Sequence, residues 1–382
     1  MQSPAHYEVI VLGLGGMGSA TAYHLARRGT RVLGLDAFAR GHENGSSHGR
    51  SRGIREAYGE SPQYVPIIQR GYELWRELEA ESGQHLLTIT GGISIGPDAP
   101  NFGANQHAAA AQFGLAVEQL SPAEVMTRWP GFNVPDGYVG MYDPHTGFLL
   151  PGPCVAAHLD LAAKHGAELH HREPVRRWAP DGAGVRVETD IATYTASALV
   201  ITAGPWAGGI LADLHLPLEP WRMYNVYFAP TRPELFGPDH FPVYGFDGPE
   251  GSYYGVPMLP GDGLKIGRHD KGDPCTPETA RRTIEPREID QMRIVLDKYM
   301  PGATGAVLAA TTCLYTMTPD SHFIIDRYPA HANVVYGCGF SGHGFKFTAV
   351  IGEIMADLAT DGTTRHPIGF LSADRFATAV TR

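Results

Sequence analysis

The chain has 382 residues, 40 acidic and 30 basic, for a net charge of -10. That charge argues against nucleic acid or an anionic membrane as a partner, and no apolar run reaches the length of a membrane span. The length suffices for a large core and predicts two domains.

The chain opens on Met1-Gln2-Ser3-Pro4-Ala5-His6, which lacks signal-peptide character and runs straight into a strand, so a cytoplasmic protein is expected. Val9-Ile10-Val11-Leu12 is the strand. Gly13-Leu14-Gly15-Gly16-Met17-Gly18 follows, then a helix over Ser19 to Arg28 that stops at Gly29. A second strand over Arg31 to Leu35 ends at Asp36. G-x-G-x-x-G between strand and helix, with an acidic residue about twenty positions on, marks a dinucleotide site. Gly13 permits the tight turn, Gly15 lets the backbone approach a pyrophosphate, and Gly18 lets helix and strand pack closely. The helix N-terminus attracts phosphates, and Asp36 can accept hydrogen bonds from ribose hydroxyls. The motif alone does not separate NAD from FAD.

A long glycine-, serine- and histidine-rich loop, Gly41 to Gly59, exceeds an ordinary connection and points to function. Gln63 to Glu81 is an amphipathic helix. Strands are expected at Leu86–Ile89 and Gly92–Ile95, and a helix opens on the capping box Ser121-Pro122-Ala123-Glu124 and ends before Pro130. A helix over Cys154 to His165 and a strand over Glu168 to His171 come next. Val185–Thr189 and Thr193–Ala196 form a β pair, and the strand Ala198–Ile201 runs into Thr202-Ala203-Gly204. Leu216 to Gly272 reads as short strands and turns. Helices over Pro277–Ile284 and Pro286–Tyr299 precede strands at Val307–Thr311, Phe323–Ile325 and Asn333–Tyr336, and a last helix spans Lys346 to Ala359.

The expected architecture is α/β: a dinucleotide domain built from residues 1–85, 150–215 and 305–382. A mostly antiparallel substrate domain is inserted as residues 86–149 and 216–304. The active site should lie between them. Four scattered cysteines (Cys154, Cys275, Cys313, Cys338) offer no disulfide framework or C-x-x-C spacing, and the eighteen histidines show no ligand pair on one helix, so no metal is expected.

Four further stretches call for an explanation. They are Asn44-Gly45-Ser46-Ser47-His48-Gly49-Arg50-Ser51-Arg52-Gly53-Ile54-Arg55, Tyr253-Tyr254-Gly255 followed by Lys265-Ile266-Gly267-Arg268-His269, Cys313-Leu314-Tyr315, and Phe340-Ser341-Gly342-His343-Gly344-Phe345-Lys346-Phe347. In this order and spacing they resemble the monomeric sarcosine oxidase family, with N-methyltryptophan oxidase and the pipecolate-type oxidases as relatives, over nearly the whole chain. The resemblance implies a glutathione-reductase-type FAD domain with an inserted substrate domain, acting as a monomer. The implied reaction oxidises the secondary amine of an N-methyl amino acid with O₂, giving H₂O₂ and an imine that hydrolyses. A cyclic imino acid substrate, and a dehydrogenase using another acceptor, stay open as alternatives. A non-enzymatic flavin-binding module is the reading of a different class, which the clustered cations oppose.

The resemblance also implies roles. FAD is tethered through its 8α-methyl group to the sulfur of Cys313, a thiol being the nucleophile that such a bond needs. His48 lies near the flavin and this linkage. Arg52 faces the ring and contacts the substrate carboxylate, whose geometry matches a guanidinium. Lys265 takes the place of the lysine that activates O₂ by stabilising developing negative charge. Lys346 pairs with the substrate carboxylate, and Tyr254, His269 and Tyr315 line the substrate side. Val175 meets the adenine, and Gly342 and Gly344 let backbone N–H groups approach the ring. Arg50 stands where relatives carry an acidic residue and receives no role, while Arg55 is expected to hold the loop or the cofactor.

Overall fold

The computed structural model describes residues 6–381, and side chains as far as residue 377; residues 1–5, which carry the expectation about a leader, lie outside the described residues. Five strands run parallel in the order Glu168–His171, Val32–Asp36, His6–Leu12, Thr193–Ile201, His331–Cys338. The hairpin Val175–Asp181 and Gly184–Thr189 extends this sheet antiparallel to the first half of Thr193–Ile201, and Ile324–Tyr328 lies antiparallel to His331–Cys338. Side chains alternate between faces along each strand. Val9 and Val11 therefore join one core with the helices Gly16–Arg27, Val65–Ser82, Pro151–Lys164 and Thr348–Thr360, while Ile10 and Leu12 join the core beneath the hairpin. Each fully buried Leu or Ile in these layers contributes about 1.5–3 kcal/mol.

The second large sheet has nine strands and is antiparallel except where Val243–Gly248 runs parallel to Gly92–Pro97. One face packs on the helices Pro122–Arg128 and Pro286–Tyr299 through Ile93, Val226, Tyr244, Leu264 and Ile266. The opposite face carries the alternate residues, among them Asn225, Tyr254, Lys265, Cys313 and Tyr315. The strand Val307–Met317, expected in the nucleotide-binding part, pairs along the whole of Glu219–Phe228 in this sheet. A small third sheet of Arg52–Ile54, Gly147–Leu149 and Leu87–Ile89 anchors the glycine-rich loop between the two large ones.

Several elements differ from expectation. Thr193–Ala196 and Ala198–Ile201 are one continuous strand, because Ser197 does not interrupt the pairing. The segment Pro277–Ile284 forms turns rather than a helix; Thr276 and Thr279 exchange side-chain and backbone hydrogen bonds, a local alternative to helical pairing. A helix over Ala104–Phe113, flanked by the left-handed glycines Gly103 and Gly114, was not expected: only Ala109 in it is buried, so it has no apolar stripe to read. The last α-helix begins at Thr348, and Lys346 sits in the 3₁₀ turn Phe345–Phe347 before it. Among the described residues no helix is long and apolar enough to cross a membrane, and no group of three or more His, Cys, Asp or Glu is placed to hold a metal ion.

Candidate active site

A cavity of about 1000 Å³ runs from the first βα turn to the inner face of the nine-stranded sheet. At its first end Gly13 holds φ +90°, and a Cβ on Gly18 would stand 1.7 Å from the Gly13 carbonyl oxygen, so the helix can start against the turn only with glycine there. Gly15 is the N-cap and faces the cavity; Ser47 Oγ accepts from the N–H of Gly16 at 2.8 Å and folds the long loop over the helix start. Asp36 accepts from the backbone N–H of Leu14 and of Phe38, each at 2.8 Å, and lines the wall with Val175, Phe38 and Trp206.

The loop then delivers its side chains in sequence. His48 Nε2 meets the carbonyl of Thr312 at 2.7 Å, next to Cys313. A carbonyl requires the proton on Nε2, so Nδ1 is the acceptor, and it is buried with no partner. Burial, then the charge of Arg52, holds the His48 pKa below the usual range, keeping the ring neutral. The Arg52 guanidinium donates to the carbonyls of His48 at 2.6 Å and Ser51 at 3.0 Å. Burial opposes its charge, but the Cys313 thiol and the phenols of Tyr254, Tyr227 and Tyr315 around it raise its pKa overall.

Lys265 is only 1% exposed although it lies in a strand; its Nζ donates to the carbonyl of Ser51 at 2.8 Å and stands 5.1 Å from the Tyr254 ring centroid. Lys346 is 5% exposed and donates to the carbonyl of His343 at 2.8 Å and to the Tyr58 hydroxyl at 3.4 Å. Burial pushes both ammonium groups well below the usual lysine range, helped by Arg52 at Lys265 and by Arg55 at Lys346. Among the described residues no Asp or Glu forms an ion pair with Arg52, Lys265 or Lys346. Two buried ammonium groups and a half-buried guanidinium without a carboxylate partner are expensive unless an anion arrives.

Tyr315 donates to Tyr254 at 3.3 Å and Tyr254 donates to Asn225 Oδ1 at 3.0 Å; His269 Nδ1 lies 3.5 Å from the Tyr315 hydroxyl. Burial raises the Tyr254 pKa to about 12 and lifts that of Tyr315 well above its usual value, so both phenols stay protonated. Burial lowers the His269 pKa, leaving a neutral ring. Gly342 and Gly344 line the same wall, and a Cβ on Gly342 would meet the Tyr315 ring at 2.2 Å.

The expected site residues thus gather at one cavity, except that Gly18 packs behind the Gly13 turn, and Lys265 at 1% and Cys313 at 3% exposure are buried behind the lining. The structure also gives Arg55, expected to hold the loop or the cofactor, a definite setting, and brings in Tyr58, which had no expected role. Arg55 makes a two-oxygen pair with Glu60, with its NH2 2.6 Å from Oε2, and stands over the Tyr58 ring at 4.8 Å. The charge on Lys346 is influenced more by Arg55 than by Arg52, so Arg55 shares the Lys346 end and Arg52 the Lys265 and Cys313 end. The Tyr58 hydroxyl meets His343 Nδ1 at 2.6 Å, and His343 Nε2 meets the Ser321 carbonyl at 2.8 Å; burial drops the His343 pKa to about 3. The only sequence signal for Tyr58 was membership of the long loop, whereas Arg55 also closes the motif that begins at Asn44.

A family model described as FAD dependent oxidoreductase (DAO) matches residues 8–358. The monomeric sarcosine oxidase of Streptomyces avermitilis is 46% identical to the chain over 379 residues, covering 98% of each. An N-methyl-L-tryptophan oxidase of Salmonella heidelberg is 35% identical over 374 residues, 97% of this chain and 99% of that one. Among solved structures, NikD, described as an unusual amino acid oxidase essential for nikkomycin biosynthesis, aligns with a TM-score of 0.84 and 27% identity over 96% of this chain and 97% of its own.

The residues present fit FAD. The open Gly15 backbone and helix start suit a pyrophosphate, and the unpaired cations suit a ring that becomes anionic on reduction. The buried, partnerless Nδ1 of His48 and Oγ1 of Thr348 belong to residues that line the same cavity. The chain belongs to the FAD dependent oxidoreductase family, in the group of the monomeric sarcosine oxidases and N-methyl-L-tryptophan oxidases.

Proposed function

We propose that this protein oxidises the secondary amine of an N-methyl amino acid. The amine R–NH–CH₃ and O₂ give the imine R–N=CH₂ and H₂O₂, and water then splits the imine into the amino acid and formaldehyde. Bound FAD would supply the two-electron acceptor for the amine, with O₂ as the final acceptor. The observation that carries the reading is the trio of buried Lys265, buried Lys346 and half-buried Arg52 at one cavity, with no Asp or Glu in an ion pair with any of them among the described residues.

In this reading Lys346 and Arg55 hold the substrate carboxylate. Because Arg55 is already paired with Glu60, the net charge on offer there is that of Lys346. Arg52 faces the flavin rather than the carboxylate, and Lys265 stabilises the negative charge that develops as O₂ is reduced. Neutral His269 and the Tyr315–Tyr254 pair orient the amine; with protonated phenols and a neutral imidazole, they act as hydrogen-bonding groups around an already neutral amine. Gly13, Gly15, Gly18 and Asp36 hold the dinucleotide, with Val175 at the adenine and Gly342 and Gly344 at the ring. The nucleotide-binding and substrate parts follow the division of the two large sheets.

Cys313 is the tether in this reading. Its sulfur would hold the flavin covalently when FAD is bound. His48, anchored beside it, offers the unprotonated Nδ1 that can receive the thiol proton.

A peroxide-coupled assay over N-methyl and cyclic amino acids tests the reaction. Peroxide and formaldehyde in equal amounts from an N-methyl amino acid are expected. Absence of both peroxide and flavin bleaching with every member of the panel refutes it.

A further inference from the structure

We propose that the cavity is shaped for an N-methyl amino acid that bears a side chain, and that Gly245 sets the room for it; this rests on the amine-oxidase reading above. Across the nine-stranded sheet Met141, Ser94, Gly245, Tyr254 and Gly267 stand in register, one on each of five neighbouring strands. Residues opposite one another in a sheet face the same side. Tyr254 faces His269 and Tyr315, so Ser94 and Gly245 face the cavity with it, and both line its wall. Beside Tyr254 the row therefore drops to a glycine and a serine.

The notch at Gly245 is not filled by the protein itself. A Cβ there would meet nothing nearer than the Tyr253 carbonyl oxygen at 3.5 Å and Ser94 Oγ at 3.8 Å. Gly255 on the adjoining strand is the contrast: the Tyr244 ring stands 2.1 Å from where its Cβ would be. Glycine inside a strand is less stable than alanine there, and a strand glycine often marks the close approach of a ligand. At Gly255 packing explains the residue, and at Gly245 only a ligand does.

Orientation follows from the charges. His269 feels Glu60, Arg55 and Lys346, and also Asp247. Asp247 lies two residues beyond Gly245 on the same strand face, about 7 Å along it, lines the cavity, and has no ion-pair partner among the described residues. With its carboxylate on Lys346 and its amine by His269 and Tyr254, an amino acid turns its side chain to Gly245 and Ser94. Asp247 at the rim repels an acidic side chain. The substrate class is then an N-methyl amino acid with a neutral or basic side chain.

The holoenzyme is assayed by H₂O₂ release with sarcosine, N-methylalanine, N-methylleucine and N-methylglutamate. For the unaltered enzyme, kcat/KM for N-methylleucine should equal or exceed that for sarcosine by severalfold, and N-methylglutamate should be the weakest. Gly245→Leu should lose at least tenfold more kcat/KM for N-methylleucine than for sarcosine, chiefly through KM, and Gly245→Ala should show the same bias at smaller size. Asp247→Asn should raise N-methylglutamate relative to N-methylleucine. The flavin spectrum confirms that each variant is folded, and the alanine variant decides if the leucine variant is not. An enzyme that turns over sarcosine at least tenfold better than N-methylleucine, or a Gly245→Ala variant that weakens both equally, overturns this proposal alone. Silence with every substrate, sarcosine included, overturns the oxidase reading instead.

Discussion

Replacing Lys346 with methionine separates carboxylate recognition from the rest of the site. The ammonium is buried and uses two donors on the His343 carbonyl and the Tyr58 hydroxyl. Arg55 beside it is neutralised by Glu60, so without Lys346 a substrate carboxylate enters a site of no net charge. Removing one partner of a buried charge pair costs about 2–5 kcal/mol, which at about 1.4 kcal/mol per tenfold is about 30- to 4000-fold in kcat/KM. The assay is anaerobic bleaching of the flavin, titrated with an N-methyl amino acid and with the matching N-methylamine that lacks the carboxylate. The variant should lose the advantage of the acid over the amine, while the amine itself changes little. An equal loss for both ligands would show that Lys346 holds the fold or the flavin, and refute its role at the carboxylate.

Lys265→Met should slow reoxidation of the flavin by O₂ about a hundredfold and affect reduction by the amine far less, read by stopped-flow absorbance; equal effects on the two half-reactions remove its role. Cys313→Ser should release all flavin to the supernatant on acid precipitation, whereas the unaltered protein keeps its colour in the pellet; colourless pellets from both rule out the tether. The Lys346 ammonium is held well below the usual lysine range by burial and then by Arg55. The free enzyme therefore sheds that charge as pH rises through the lowered value, and an arriving carboxylate raises it again. Binding should take up protons between the two values, and kcat/KM should fall on the basic side, a limb that Lys346→Met abolishes. By the same sign the apoprotein should lose stability as pH falls through the lowered value, because the unfolded chain holds that proton more tightly.

Local chemistry was legible in the sequence wherever it was dictated by neighbours along the chain. The glycine turn, the amphipathic helix Val65–Ser82, the capping box at Ser121 and the paired strands near Val185 rest on contacts within a few residues, and they stand as read. The helix Ala104–Phe113 escaped because its alanines and glutamine carry no apolar period. Pro277–Ile284 looked helical because nothing in its composition announces the Thr276–Thr279 turn. The site residues were recognisable as types, but their division of labour was not. Arg52 and Arg55 are three positions apart, yet one lies with Cys313 and Lys265 and the other with Lys346, a sorting fixed by segments more than two hundred residues away. Gly245 is the extreme case: its meaning depends on which strands lie beside it, and strand register between distant segments cannot be read from a single chain.

Oxidation of an N-methyl amine in this cavity at the expense of O₂ is read most directly from its products. Purified holoenzyme given an N-methyl amino acid in air-saturated buffer should release H₂O₂ and formaldehyde in a one-to-one ratio, and under nitrogen its flavin should bleach and return on admitting air. Bleaching that air does not reverse would assign the electrons to another acceptor, and peroxide without formaldehyde would place the oxidation on a different carbon.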